Sequence, residues 1–192
     1  MYDAVQDPYC YEGTTILKNI PGIWDQSALD EFEAAITKQR ADEPLPAGRL
    51  SVSHYQAIHR HLFQDVYGWA GGFRTVRISK DGSAFCYPEN IKREMTLLFL
   101  TLREKRYLLG LTQEAFVAEA TSFLSTLNAI HPFREGNGRT QATFLTLIAA
   151  HAGHPFDLDR LDPDAFLVAM VSSFQGDEGP LKQQLRFLVH AG

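Results

Sequence analysis

The chain has 192 residues, 45% of them hydrophobic and 21% charged, with a formal net charge of −5. That length and mixture suit one globular domain, or one domain with small appendages, able to bury a real core. The acidic balance argues against a general nucleic-acid binder, since phosphate neutralisation needs a basic surface, and no apolar run approaches the roughly 20 residues of a membrane span.

The opening MYDAVQDPYCYEG is acidic and polar and lacks the basic segment and apolar core of a secretory signal. Cys10 and Cys86 stand far apart in no metal-ligand spacing, so a reducing cytoplasm is the expected compartment. Ser27 is a candidate N-cap, followed by Leu29, Phe32 and Ile36 at helical spacing. ADEPLPAGRL, residues 41–50, is a loop by its two prolines and glycine. Ser53 opens a second helix with Tyr55, Ile58, Leu62 and Val66 on one stripe.

FRTVRISKDGSAFCY, residues 73–87, breaks the helical pattern: Val76 and Ile78 alternate, and Asp81-Gly82 in the middle predicts a β-hairpin. A lone hairpin in a helical protein is marginal unless it packs on something or pairs with a visiting strand. A third helix runs from Glu89 to about Tyr107 behind Pro88, with Ile91, Met95, Leu98 and Leu102 on one face. Thr112 caps the next, whose inner face is Phe116, Ala120, Phe123 and Leu127. After residues 131–142, HPFREGNGRTQA, comes ATFLTLIAAHAG, apolar almost all round as in the buried centre of a bundle, and stopped by Gly153 and Pro155. Asp162-Pro163 starts a helix to about Phe174, and Pro180 starts a last one. The expected fold class is all-α with a single hairpin.

HPFREGNGR carries the chemistry. A helix ends near Ile130 and another starts near Gly138, whose first N–H groups lack intrahelical partners and, with the helix dipole, make an anion site. Gly136 and Gly138 remove Cβ atoms where a phosphate must approach, Asn137 can donate from its side chain, and Arg139 adds a positive fork. No GxxxxGK[ST] occurs. A carboxylate beside a phosphate cradle needs a cation between them, so Glu135 implies Mg²⁺. His131, with an ordinary pKa of about 6.5, suits a general base. Base, metal ligand and anion hole on one loop spell transfer of a phosphorus group to a hydroxyl.

HPFREGNGR closely resembles the core motif of the Fic family, HxFx(D/E)GNGRxxR. DPYCYEGTTILKN (7–19) resembles the opening of short bacterial members, and HRHLFQDVYGWAGGFRTVRISK (59–80) the helix leading to the family's hairpin, the flap. The resemblance implies a single helical domain over 1–192, its core about 53–174, and transfer of AMP from ATP to a Ser, Thr or Tyr hydroxyl of a target protein. His131 would deprotonate the hydroxyl, Phe133 would anchor the loop, and Glu135 would hold Mg²⁺. Gly136, Asn137 and Gly138 would line the anion hole, and Arg139 would hold the outer phosphates. Arg77, Ile78, Ser79 and Lys80 of the flap would align an extended target segment by strand addition.

The motif's second arginine is Ala142 here, which has neither charge nor donor. Three explanations stay open: a weaker AMP transferase, a different nucleotide or diphosphate-linked donor, or a substitute cation such as Arg134 or Lys80. The alternatives to AMP transfer are transfer of UMP, GMP or phosphocholine, and a degenerate domain that binds without turnover. Family members are commonly inhibited through (S/T)xxxE(G/N). SALDEF (27–32) ends in Phe and reads as an ordinary capped helix, and SFQGDEG (173–179) reads as a loop. With no internal inhibitor, the resemblance implies a toxin whose partner is a small antitoxin carrying the inhibitory glutamate helix, in the cytoplasm unless exported to a host cell. HRH (59–61) and HAGH (151–154) read as surface or helix-end histidines, and Trp69 and Phe73 as core around the flap.

Overall fold

Seven α-helices and a short hairpin organise the residues described by the computed structural model, 7–80 and 83–189. The first, α1 (Gln26–Ala41), starts two residues earlier than Ser27 would dictate. Asp25 is extended and its carboxylate accepts from the Ala28 N–H at 2.9 Å, so it takes the orphan donor first. Likewise α2 (Val52–Phe63) is capped by Ser51, not Ser53. The Ser51 hydroxyl accepts from the His54 N–H. Helix α3 (Pro88–Glu104) begins on its proline and ends short of Tyr107, because Arg106, Tyr107 and Leu108 all take left-handed φ values and turn the chain. Helix α4 (Gln113–Ile130) is capped by Thr112, and α6 (Pro163–Phe174) by Asp162, as their spacing predicts. Helix α5 (Asn137–Ala152) stops at Gly153, φ +82°, and α7 (Gly179–Leu188) starts one residue before Pro180.

Helix α5 packs against both α2 and α4, and α6 and α7 pack on α4. Phe144 on α5 is wholly buried among Tyr55, Phe99 and Phe123. The stripe left open on α5 holds Gly138, Arg139 and Ala142, and that stripe faces the cavity described below. Helix α1 lies on α2 and completes the bundle on that side.

The hairpin is shorter than its alternating sequence predicts. Only β1 (Ser79–Lys80) and β2 (Ser83–Ala84) pair, with Ser79 opposite Ala84 and Lys80 opposite Ser83. At its base the carbonyls of Val76 and Cys86 accept from the Arg74 side chain instead of from a facing strand. The Asp81-Gly82 turn and the Lys80 side chain lie outside the described residues. Among the described residues no helix is long and apolar enough to cross a membrane.

Candidate active site

The loop between α4 and α5 is fixed from both ends. His131 terminates α4 in the left-handed region (φ 48°, ψ 64°), uncommon for a residue with a Cβ. Its N–H donates to the Leu127 carbonyl at 3.0 Å, and its ring stacks on Phe85 at 4.0 Å. Phe133 is fully buried and stacks on His59 at 3.7 Å, which anchors the loop. Asn137 behaves differently from expectation. Its side-chain amide donates to the Phe133 carbonyl and accepts from the Phe133 N–H, both at 2.9 Å, so it staples the loop shut. What Asn137 offers an anion is therefore its backbone N–H at the start of α5.

The two glycines have separate duties. Gly136 has φ +79°, and a Cβ there would lie 2.3 Å from the Phe63 ring, so the fold itself requires glycine. A Cβ on Gly138 would meet no atom within 4 Å. The space beside Gly138 belongs to the cavity it lines, at the first turn of α5 where N–H groups are unpaired.

Glu135 and Arg139 both line this cavity. One Glu135 oxygen accepts from the Gly136 N–H at 2.8 Å, while the side chain stays 45% exposed. Among the described residues no three His, Cys, Asp or Glu side chains converge as a metal cage. A single half-exposed carboxylate beside an anion cradle is the donor set that fits magnesium, which keeps water and shares phosphate oxygens.

Arg139 is already held, by residues the sequence reading missed. The Glu33 carboxylate of α1 accepts from its Nη2, and Thr37 Oγ1, one turn on, accepts from Nη1 at 3.2 Å. The guanidinium lies 4.7 Å over the Phe63 ring, and the Tyr67 hydroxyl donates to the second Glu33 oxygen. Burial, and then that carboxylate, push the Tyr67 phenol well above its ordinary pKa. The buried stripe of α1 is thus Leu29, Glu33 and Thr37 at i, i+4 and i+8. An acid and a hydroxyl on a core-facing line were the available signal.

His59 was the other omission. It is fully buried, not a surface histidine. The Gly71 N–H donates to its Nδ1 at 2.8 Å, so Nε2 carries the hydrogen and donates to the Glu135 carbonyl at 3.0 Å. Burial lowers its pKa to about 4, keeping it neutral. His61 bonds the Arg40 carbonyl at 2.8 Å and His154 the Leu111 carbonyl at 2.8 Å, both helix-packing contacts. Arg134 pairs with Asp7 at 2.9 Å and does not line the cavity, so it is no substitute for a residue-142 cation. Among the described residues, Arg139 is the one Lys or Arg lining it.

The cavity, about 690 Å³, joins the loop to an apolar wall. His131, Glu135 and the first turn of α5 form one side, and Phe166, Met170 and Phe174 of α6 form the other. Ala142 lies on its floor one turn beyond Gly138. A polar phosphate end facing an aromatic and thioether wall suits a nucleotide, with the base against α6. The flap residues Arg77, Ile78 and Ser79 are not among the lining residues, and the Lys80 side chain lies outside the described residues. Arg77 lies 4.2 Å over the Tyr87 ring.

Comparison with known proteins agrees with this geometry. A model described as the Fic/DOC family matches residues 49–149. The probable protein adenylyltransferase y4lH of Sinorhizobium fredii is 50% identical over 98% of each chain. The protein adenylyltransferase VbhT of Bartonella schoenbuchensis is 35% identical over 96% of this chain and 39% of its own length. The crystal structure of the Bartonella tribocorum effector BepC with bound AMPPNP superposes with a TM-score of 0.85 at 28% identity, covering 96% of this chain and 97% of that one.

Proposed function

The chain belongs to the Fic/DOC family, and from that premise we propose that it is a protein adenylyltransferase, transferring AMP from ATP to a Ser, Thr or Tyr hydroxyl of a target protein. The observation that carries the reading is the cavity in which His131 and the open face of Gly138 stand opposite the apolar wall of α6. The base of ATP lies against Phe166, Met170 and Phe174, and the α-phosphate at the N–H groups of Asn137, Gly138 and Arg139. An extended target segment pairs along the free edge of the hairpin at Ile78 to Lys80. His131 takes the hydroxyl proton. The oxygen bonds to the α-phosphorus as the bond to the β-phosphate breaks, and pyrophosphate leaves. The α5 N–H groups stabilise the charge that develops on the α-phosphate oxygens. Magnesium, held at Glu135, would supply charge neutralisation between carboxylate and phosphates.

Transfer of another nucleotide or of phosphocholine is the second reading. One observation favours it: Arg139 is neutralised by Glu33 and position 142 offers no charge, so the outer phosphates of ATP meet little net positive potential. The partner expected is a target protein docked on the hairpin, with a small antitoxin controlling a cytoplasmic toxin. Incubation with magnesium, a cell lysate and ATP labelled at the α-phosphate, beside His131→Ala, tests the main reading. Label on protein that depends on His131 supports it. Label only from another donor selects the second reading, and binding without transfer overturns both.

A further inference from the structure

Arg74 is 2% exposed, and no carboxylate among the described residues pairs with it. A buried guanidinium is costly unless its donors are satisfied. Here every partner is a backbone carbonyl, and the carbonyls come from two places. Nη1 donates to Val76 at 2.7 Å and Nη2 to Cys86 at 2.6 Å, one on each side of the hairpin's base. Nε donates to His131 at 2.8 Å, and Nη2 also reaches Ile130 at 3.2 Å, the last residue of α4. Main-chain bonds run beside the side chain: the Arg74 N–H donates to Pro132 at 2.9 Å and the Cys86 N–H to Ala129 at 3.1 Å.

The carbonyl that Nε holds belongs to the residue in the left-handed conformation. Such backbone is strained for a residue with a Cβ and persists only where its surroundings over-determine it. Only a planar fork with donors on three nitrogens can reach both flanks of the hairpin and the His131 carbonyl at once. A lysine ammonium is a point donor and cannot span them.

Resting on the reading of His131 as the base, we infer that Arg74 is a positioning residue, a clamp that fixes the target-docking hairpin in register with the His131 backbone. The hairpin sets where the target hydroxyl lies, and the His131 backbone sets where the base lies. Arg74 is the shared fixture, so the base-to-hydroxyl distance is built into the fold before either substrate arrives.

The test uses the full chain with Arg74→Lys, compared with wild type in Tm, affinity for a non-hydrolysable ATP analogue, and rate of transfer to the labelled target. The clamp predicts a loss of tenfold or more in transfer rate with analogue affinity within twofold of wild type. A merely structural arginine would lower Tm and leave the rate of the folded fraction alone, and that result overturns the inference. So does a parallel loss of rate and affinity. If the variant does not fold, hydrogen exchange on the wild-type chain decides. The N–H groups of Arg74, Cys86 and His131 must exchange with the same protection, as one unit. Exchange of the first two at least tenfold faster than His131 overturns the clamp. The exchange readout is separate from the question of donor: an inactive wild type refutes the proposed function, while the exchange result still judges the clamp.

Discussion

Replacing Gly136 and Gly138 by alanine, two residues apart in one motif, should give opposite phenotypes. At Gly136 the new methyl would sit 2.3 Å from Phe63 Cζ, on a residue with φ +79°. The left-handed backbone costs about 1–2 kcal/mol and the overpacking about 1–3 kcal/mol, for a loss of roughly 2–5 kcal/mol. For a chain of this size, that lowers Tm by about 4–20 °C. At Gly138 the same methyl meets nothing within 4 Å, and the residue is not in the left-handed region. There alanine should stabilise by roughly 0.4–1 kcal/mol through the unfolded chain, raising Tm by about 1–4 °C. It would instead stand where the phosphate must approach. Loss of one charge-assisted bond, about 1.5–3 kcal/mol, weakens ATP binding roughly tenfold to a hundredfold. The assays are differential scanning calorimetry and titration with an ATP analogue. Equal loss of Tm in both variants, or Gly138→Ala binding the analogue as well as wild type, would refute the division of duties.

Ala142→Arg places a second cation on the cavity floor and should raise ATP affinity or transfer rate about tenfold to a hundredfold, the worth of one charge-assisted bond. Unchanged kinetics would mean that the missing arginine does not limit use of ATP. Glu33→Gln removes the anionic partner of Arg139 and should lower transfer by about tenfold or more, because the guanidinium loses its fixed orientation. A faster enzyme would show instead that Glu33 competes with phosphate. His59 gives a pH signature. Its folded pKa of about 4 lies below an unfolded value near 6.5, so the unfolded chain takes up the proton first as pH falls. Its contribution, roughly 3 kcal/mol at most, is fully present above pH 6.5 and lost progressively down to pH 4. Denaturant melts of wild type and His59→Gln across that window should converge at the acid end, and parallel curves would contradict the assignment.

That His131, Glu135, Gly138 and Arg139 line one cavity could be read from the sequence because one short stretch carries them in order. The helices were legible for a similar reason, since their stripes are local, though Asp25 and Ser51 take the caps of α1 and α2 from Ser27 and Ser53. What escaped was long-range. Glu33 meets Arg139 across 106 residues, His59 reaches Glu135 across 76, and Arg74 reaches His131 across 57. No local period announces such pairs. In α1 the apolar stripe was Leu29, Phe32 and Ile36, yet the face buried deepest runs from Leu29 through Glu33 and Thr37, whose partner is a cation on another helix. The hairpin was overestimated because alternation predicts ladder bonds, and a buried arginine took two of the carbonyls instead.

The contact between α1 and Arg139 sets a lower bound on what can be transplanted. Residues 49–149 match the family and contain the entire motif, but α1 precedes that stretch. A graft of the motif with its flanking helices would keep the loop, its glycines and its histidine. Its arginine would lose the Glu33 and Thr37 contacts and keep only the Phe63 ring and Glu135, 3.8 Å away, with Tyr67 left without its carboxylate partner where α1 had lain. The smallest portable catalyst is therefore the motif plus a helix about a hundred residues upstream, and swapping that helix between relatives is a way to retune the arginine without touching the motif.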